Sequence, residues 1–216
     1  IVETPGIEEW NKRTYINQLI KSAAKVDDDT KEKIVKKIIK NIKKQNAGSV
    51  KNELRQSSRI YQEAEMYDEA ISKIKKAKSL TKNKNEIKRL ENQQADCLAK
   101  AGEYDDAVKV YKKLLQDDSM KWEDRLNYQN KIAKTYNDAH RSDEAKDTAE
   151  DIVKTCKEFL REHEYGGRAM NARFALAEAY KNSGDKESAR ETLEKIQKKY
   201  KHTSYAKQAE KKLKDM

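Results

Sequence analysis

Apolar and small residues recur along the chain at helical spacing, with charged residues between them. Ala70, Ile74 and Ala77 are separated by four and three positions, as are Ala107, Tyr111 and Leu114. Steps of four and three place such residues on one face of an α-helix. The turns of a multi-stranded sheet need Gly and Pro, but the chain has only six Gly and one Pro among 216 residues. The pattern therefore predicts an all-α protein.

One motif, a small residue shortly after acidic residues, occurs four times. Its anchors are 37, 38 and 44 residues apart, and they are Ala70, Ala107, Ala145 and Ala189. A large residue stands nine positions before each anchor: Tyr61, Leu98, Tyr136 and Tyr180. A small residue stands twelve positions before it: Ser58, Ala95, Ala133 and Ala177. A helical period of this length predicts stacked helical hairpins, in which small residues let two helices approach closely.

The repeats resemble the tetratricopeptide repeat (TPR) family over residues 51–216, most clearly at 95–107 and 176–185. The chain lacks the prolines that end family repeats, and its spacing exceeds their usual period of about 34 residues. The resemblance implies a right-handed α-solenoid of about four TPR-like hairpins with a capping helix. It also implies a non-catalytic scaffold or assembly factor that binds protein partners.

We predict an organisation of six segments. Residues 1–50 form a divergent helical hairpin behind a disordered lead, with helices near 8–25 and 27–44. Four repeats occupy 51–87, 88–125, 126–169 and 170–203, and a capping helix occupies 204–216. The longest spacing places extra helix around 155–167, where Tyr165-Gly166-Gly167 predicts a flexible turn.

The C-terminal motif Ser204-x-Ala-x-x-Ala-x-x-x-Leu213 is similar to bacterial envelope TPR proteins. These are the lipoprotein of the barrel-assembly machine and the coordinator of the Tol–Pal system. The chain begins at Ile1 rather than Met, which is typical of a mature or trimmed chain. The periplasm or another extracytoplasmic compartment is therefore suspected, and a cytoplasmic location stays open.

The formal net charge is +10, with the excess of Lys and Arg in residues 1–90 and 166–216. Such a field favours an acidic protein or peptide partner and salt-dependent binding. Two dense lysine clusters suggest an alternative, namely a nucleic-acid or anionic membrane-surface binder. The first cluster consists of Lys73, Lys75, Lys76, Lys78, Lys82 and Lys84, and the second of Lys198, Lys199, Lys201, Lys207, Lys211 and Lys212. Nucleic acid is the weaker interpretation, because Arg is scarce and most aromatic residues occupy repeat-core positions. The lysines of helix 27–44 lie opposite an Ile/Val stripe, and we expect that stripe to pack on the first repeat.

The sequence offers little for catalysis or for a cofactor. Cys97 and Cys156 have no CxxC spacing and are expected to be small buried residues. His140 and His202 fall in expected turns, and Cys156 with His163 supplies too few ligands for zinc. We predict neither an enzyme nor a bound cofactor or metal, and the oligomeric state stays open.

In TPR domains the first helix of each hairpin lines the concave face, and the resemblance transfers that role to matching positions. The predicted partner-binding residues are Arg55, Arg59 and Gln62, then Asn92 and Lys100, then Asn127, Asn130, Lys134 and Asn137, and finally Asn171, Phe174 and Lys181. The third set is the most suggestive, because steps of 3, 4 and 3 form one helical stripe. Asn side chains can donate to and accept from a peptide backbone, and Lys134 can meet a carboxylate.

Chaperone tails are not the expected ligand. TPR domains that grip those tails use a Lys/Asn/Lys/Arg carboxylate clamp, and the matching positions here are Arg55, Arg59, Gln93, Asn127 and Lys131. The basic character partly remains, but the identities do not match the clamp.

Overall fold

The computed structural model describes residues 14–16, 18–20, 22 and 27–215, in which no strand occurs. Ten helices have defined bounds: α1 (Asp28–Gln45), α2 (Val50–Glu63), α3 (Tyr67–Ser79), α4 (Lys84–Ala101), α5 (Tyr104–Leu115), α6 (Trp122–Asp138), α7 (Ser142–Glu162), α8 (Gly167–Ser183), α9 (Lys186–Lys199) and α10 (Ser204–Lys214). The chain divides into an N-terminal unit, Ile1–Glu103, and a C-terminal unit, Tyr104–Met216.

In the N-terminal unit, α1, α2, α3 and α4 pack each on the next. The apolar stripe of α1 is buried through Val35, Ile38, Ile39 and Ile42, in a cluster that includes Ala64 after α2. The predicted packing of this stripe against the first repeat is thus confirmed. Within the predicted helix 8–25, residues 14–16, 18–20 and 22 are helical, and its remaining positions lie outside the described residues, as does the predicted lead at 1–6.

In the C-terminal unit, each helix from α5 to α9 packs on the helix that follows it. One cluster joins Ile152 and Cys156 of α7 to Leu176 of α8. Another joins α8, α9 and α10 through residues such as Leu193 and Ala209. Helix α7 has 21 residues, which accounts for the longest repeat spacing, and it is followed by a bend at 165–166 before α8.

The hairpin turns share one backbone conformation. Five positions before each anchor alanine, φ is positive, with values of 60° at Glu65, 86° at Gly102, 56° at His140 and 90° at Gly184. In three of the four turns, the next amide donates to a carbonyl five residues back, as Arg141 N–H does to Tyr136 at 2.8 Å. This left-handed residue with its closing hydrogen bond is a common way to end a helix.

The repeat grammar corresponds to the packing. All four anchor alanines are buried, with at most 6% of their surface exposed. The residues four and seven positions after each anchor are also buried. The predicted fold class, an all-α repeat of packed antiparallel TPR-like hairpins, is confirmed, while the exact repeat bounds stay a prediction.

Candidate partner-binding surface

In the N-terminal unit, the predicted binding residue Gln62 is engaged by its own protein. Its side-chain amide donates to Cys97 Sγ at 2.8 Å, and its Oε1 accepts from Gln93 Nε2 at 2.8 Å. Gln62 lies on α2 and both partners lie on α4, so the three side chains link two first helices of predicted hairpins. Gln62 therefore contributes to the internal packing of this unit.

Arg55 also has a partner within its own unit, Glu86 at the start of α4. Lys51 Nζ lies 2.8 Å from one carboxylate oxygen of Glu86, and Arg55 Nη1 lies 3.7 Å from the other. Thr81 donates a further hydrogen bond of 2.7 Å. The hydrogen bonds from Lys51 and Thr81 lower the pKa of Glu86 below its ordinary value.

The other predicted residues of this unit differ in exposure. Arg59 is exposed and Asn92 is half-buried, and each has polar or electrostatic contacts of its own. Lys100 is exposed near the end of α4. The first-helix surface of the N-terminal unit is thus largely cross-linked by its own side chains.

Helix α6 of the C-terminal unit presents a different surface. Asn127, Asn130, Lys134 and Asn137, here called the α6 stripe, are all exposed. In the described part of the chain, their side chains have neither a hydrogen bond nor an ion pair. The buried residues Ile132, Ala133 and Tyr136 hold the helix in place beside them. The stripe offers amide donors and acceptors and one ammonium group along a rigid element.

Helix α8 contributes less to an open surface. Asn171 is exposed, whereas Phe174 packs against the cluster of Met170 and Ala177. Lys181 Nζ lies 3.3 Å from the backbone oxygen of Asp215, after α10. Of the predicted set on α8, Asn171 alone is both exposed and without a hydrogen bond or ion pair among the described residues.

The sequence reading missed a regular set of ion pairs between residues about one repeat apart. These pairs are Lys51–Glu86, Asp105–Arg141, Glu123–Arg168, Glu164–Lys199 and Glu178–Lys212. The hydrogen bond from Arg168 lowers the pKa of Glu123, and that from Lys199 lowers the pKa of Glu164. Opposite charges separated by one repeat length were the available signal.

The two cysteines, His140 and His202 lie where the sequence predicts. Both cysteines are buried, and burial raises the pKa of the Cys156 thiol to about 12. His140, His163 and His202 are exposed, and the His163 ring stacks on Phe159 at 4.3 Å. Among the described residues, no three His, Cys, Asp or Glu side chains form a candidate metal site. None of the described helices is both long and apolar enough to span a bilayer.

Comparison with known proteins agrees with this architecture. The sequence profile of the tetratricopeptide repeat matches residues 93–119 and 171–203. A comparison with curated protein sequences finds no match. The likeness to bacterial envelope TPR proteins stays a prediction.

Solved structures share the fold at low sequence identity. A crystal structure of a Podosopora anserina putative kinesin light chain with nearly identical TPR-like repeats is 16% identical, with a TM-score of 0.57, covering 91% of this chain and all of that one. A single-residue variant of that protein has a TM-score of 0.54 at 16% identity, covering 88% of this chain and 94% of that one. BtubC (BKLC) from P. vanneervenii is 14% identical, with a TM-score of 0.50, covering 83% of this chain and 71% of that one. The chain thus has an all-α helical-repeat fold of the TPR-like type, and two of its segments match the tetratricopeptide repeat profile.

Proposed function

We propose that this chain is a non-catalytic protein–protein interaction scaffold that holds an acidic protein segment or extended peptide along the α6 stripe. The observation that carries the proposal is the exposure of all four stripe side chains without an internal partner among the described residues. Tetratricopeptide repeats suggest protein partners in general, and the α6 stripe is the surface that we propose binds such a partner. Asn171 of the same unit is also exposed and can add a contact.

The chemistry of the stripe favours a peptide backbone with an acidic side chain. Asn residues at steps of three and seven lie about 5 and 10 Å apart along a helix, since each residue rises about 1.5 Å. Each amide can pair with both the N–H and the C=O of an extended segment. Lys134 stands between Asn130 and Asn137, where it can meet a carboxylate. The net charge of +10 adds long-range attraction for an acidic partner.

The proposal can be tested with peptide display on the full chain. We expect selection of extended peptides rich in Asp and Glu, with binding that weakens at high salt. Alanine at all four stripe positions should reduce affinity at least about tenfold, because several amide and charge contacts are lost together. A matched control, Lys154→Ala with Glu158→Ala on exposed positions of α7, should bind as the parent does. Failure to select such peptides, or equal loss in both variants, would refute the proposal.

A second candidate is an anionic polymer or membrane surface held by the lysine clusters. It is supported by the exposure of Lys198, Lys201, Lys207 and Lys211 around α9 and α10, outside the ion pairs that hold Lys199 and Lys212. A mobility-shift assay and flotation with anionic liposomes separate this candidate from the scaffold. A shift in either assay that the stripe variant retains would favour it.

A further inference from the structure

A groove in the C-terminal unit lies between α5, α6 and α7, with a volume of about 290 Å³. Its apolar lining comes from Leu115, Ile132 and Tyr136. Positions 129, 132 and 136 fall on the side of α6 away from the α6 stripe, since consecutive residues turn by about 100°. The groove is therefore a different surface from the one in the proposed function.

One wall of the groove is acidic. Glu144, Asp147 and Asp151 line it from α7, at steps of three and four that place them on one helix face. Glu144 is paired with Arg141 at 2.6 Å. Asp147 and Asp151 are exposed and have no ion pair or hydrogen bond among the described residues. Two carboxylates are thus available to a ligand.

A buried polar group in the same groove points to a hydrogen-bond donor. Gln129 lines the groove and is only 9% exposed. Its Nε2 donates to Thr155 Oγ1 at 3.0 Å, while its Oε1 has no hydrogen-bond partner among the described residues. A buried acceptor without a donor is costly, so a donor that enters the groove gains more than an ordinary surface contact would.

Cations of the protein itself already gather at the rim. Lys112 Nζ lies 5.7 Å from the centre of the Tyr136 ring, and the Arg141 guanidinium lies 4.9 Å from it. Such distances suit attraction between a cation and an aromatic face. The Tyr136 ring and the carboxylates of Asp147 and Asp151 favour a ligand with a positively charged end. Leu115 and Ile132 favour an aliphatic chain next to that charge.

We propose that this acidic groove binds a lysine or arginine side chain from a basic segment of a protein partner. Its volume suits one long side chain, its wall supplies two free carboxylates, and Gln129 supplies a buried acceptor. The charge is opposite to that of the chain as a whole, which is +10. The scaffold would thus hold partners of opposite charge on two sides of α6, and this inference does not depend on the stripe.

The probes are blocked Ala-Arg-Ala and Ala-Lys-Ala peptides, titrated into the isotopically labelled full chain. We expect saturable NMR shifts at the Gln129 side-chain amide and at the backbone amides of residues 144–151. The neutral citrulline peptide, which has nearly the shape of the arginine peptide, should bind several-fold more weakly. Free spermidine forms a separate arm. Binding of spermidine without binding of either peptide would overturn the assignment to a protein side chain.

Variants locate the site. Asp147→Asn combined with Asp151→Asn should weaken peptide binding about fivefold or more, because two charge contacts are lost. The matched control Glu158→Gln, an exposed carboxylate of the same helix outside the groove, should change nothing. Lys112→Met removes a competing cation and should strengthen binding, a gain that a misfolded variant cannot give. Unchanged binding in the double variant, or weaker binding in Lys112→Met, would refute the proposal.

Discussion

Matching repeat positions on the first helices of two predicted hairpins, one in each unit, are used in opposite ways. In the N-terminal unit, Gln62 joins a chain of hydrogen bonds with Gln93 and Cys97. Its counterpart Asn137, last in the α6 stripe of the C-terminal unit, is exposed and free of such contacts among the described residues. One polar position in a repeat can thus join neighbouring helices or remain available to a partner.

The difference shows why a family resemblance alone cannot select binding residues. The resemblance nominated both positions because they occupy the same place in the hairpin. Whether a side chain is available depends on its neighbour one repeat away, such as Gln93 opposite Gln62. We therefore expect substitutions on α2 to affect mainly stability and substitutions on the α6 stripe to affect mainly binding.

The largest expected effect tests whether apolar burial, rather than the polar links, dominates the stability of the N-terminal unit. Leu54 of α2 is 1% exposed, and Leu54→Ala should lower the free energy of unfolding by about 2–5 kcal/mol. The exposed neighbour Asn52→Ala should stay within about 0.5 kcal/mol of the parent. Urea unfolding followed by circular dichroism measures both. If Leu54→Ala lowered the free energy of unfolding by less than Gln62→Ala does, the polar links rather than apolar burial would dominate the stability of this unit.

The next prediction addresses the matched pair directly. Gln62→Ala removes the hydrogen-bond partner of both Cys97 and Gln93, and should lower the free energy of unfolding by about 1 kcal/mol. Asn137→Ala should cost less than about 0.5 kcal/mol but weaken peptide binding. Urea unfolding and a peptide titration on the same two variants provide the readouts. Equal stability losses would mean that the two positions do not differ in the way described.

The sequence predicted the framework better than the surface, for a physical reason. Burial of Ala70, Ala107, Ala145 and Ala189 follows from a short-range pattern that recurs in every repeat. The hydrogen bonding of the Gln62 side chain depends on Gln93, 31 residues away in the sequence, and could be recognised only from the three-dimensional arrangement of the hairpins.

Two other features lay beyond the sequence pattern. Gln129 Oε1 lacks a donor among the described residues because of the depth at which this side chain is buried, which the helical period does not specify. The left-handed conformation of Glu65 and His140 was equally hidden, since neither residue type requires it.

Acid should remove part of the polar linkage in the N-terminal unit. Because the pKa of Glu86 is lowered in the folded chain, its ionised form stabilises that state above the unfolded pKa, ordinarily 4.5. This contribution is lost as the pH falls through the folded value. The stability difference between the parent and Glu86→Gln, clear at about pH 7, should therefore shrink as the pH falls below 4.5 and through the lowered folded pKa of Glu86. Lys51→Met removes the donor and should show the same convergence in urea unfolding, whereas a difference that persists in acid would exclude this linkage.

The smallest effect concerns the hairpin turns, where each unit has one glycine and one other residue at positive φ. Glu65 and His140 adopt a conformation that costs a residue with a Cβ about 1–2 kcal/mol. Glycine relieves that strain but loses about 0.5–1 kcal/mol through its greater freedom in the unfolded chain. Glu65→Gly and His140→Gly should therefore each stabilise by about 0.5 kcal/mol.

The reverse changes, Gly102→Ala and Gly184→Ala, should each destabilise by a similar or larger amount, because no Cβ contact within 4 Å compensates for the strain. Urea unfolding of the four variants measures this, and a gain at one unit's turn without a gain at the other's would show that the turns of the two units are not equivalent.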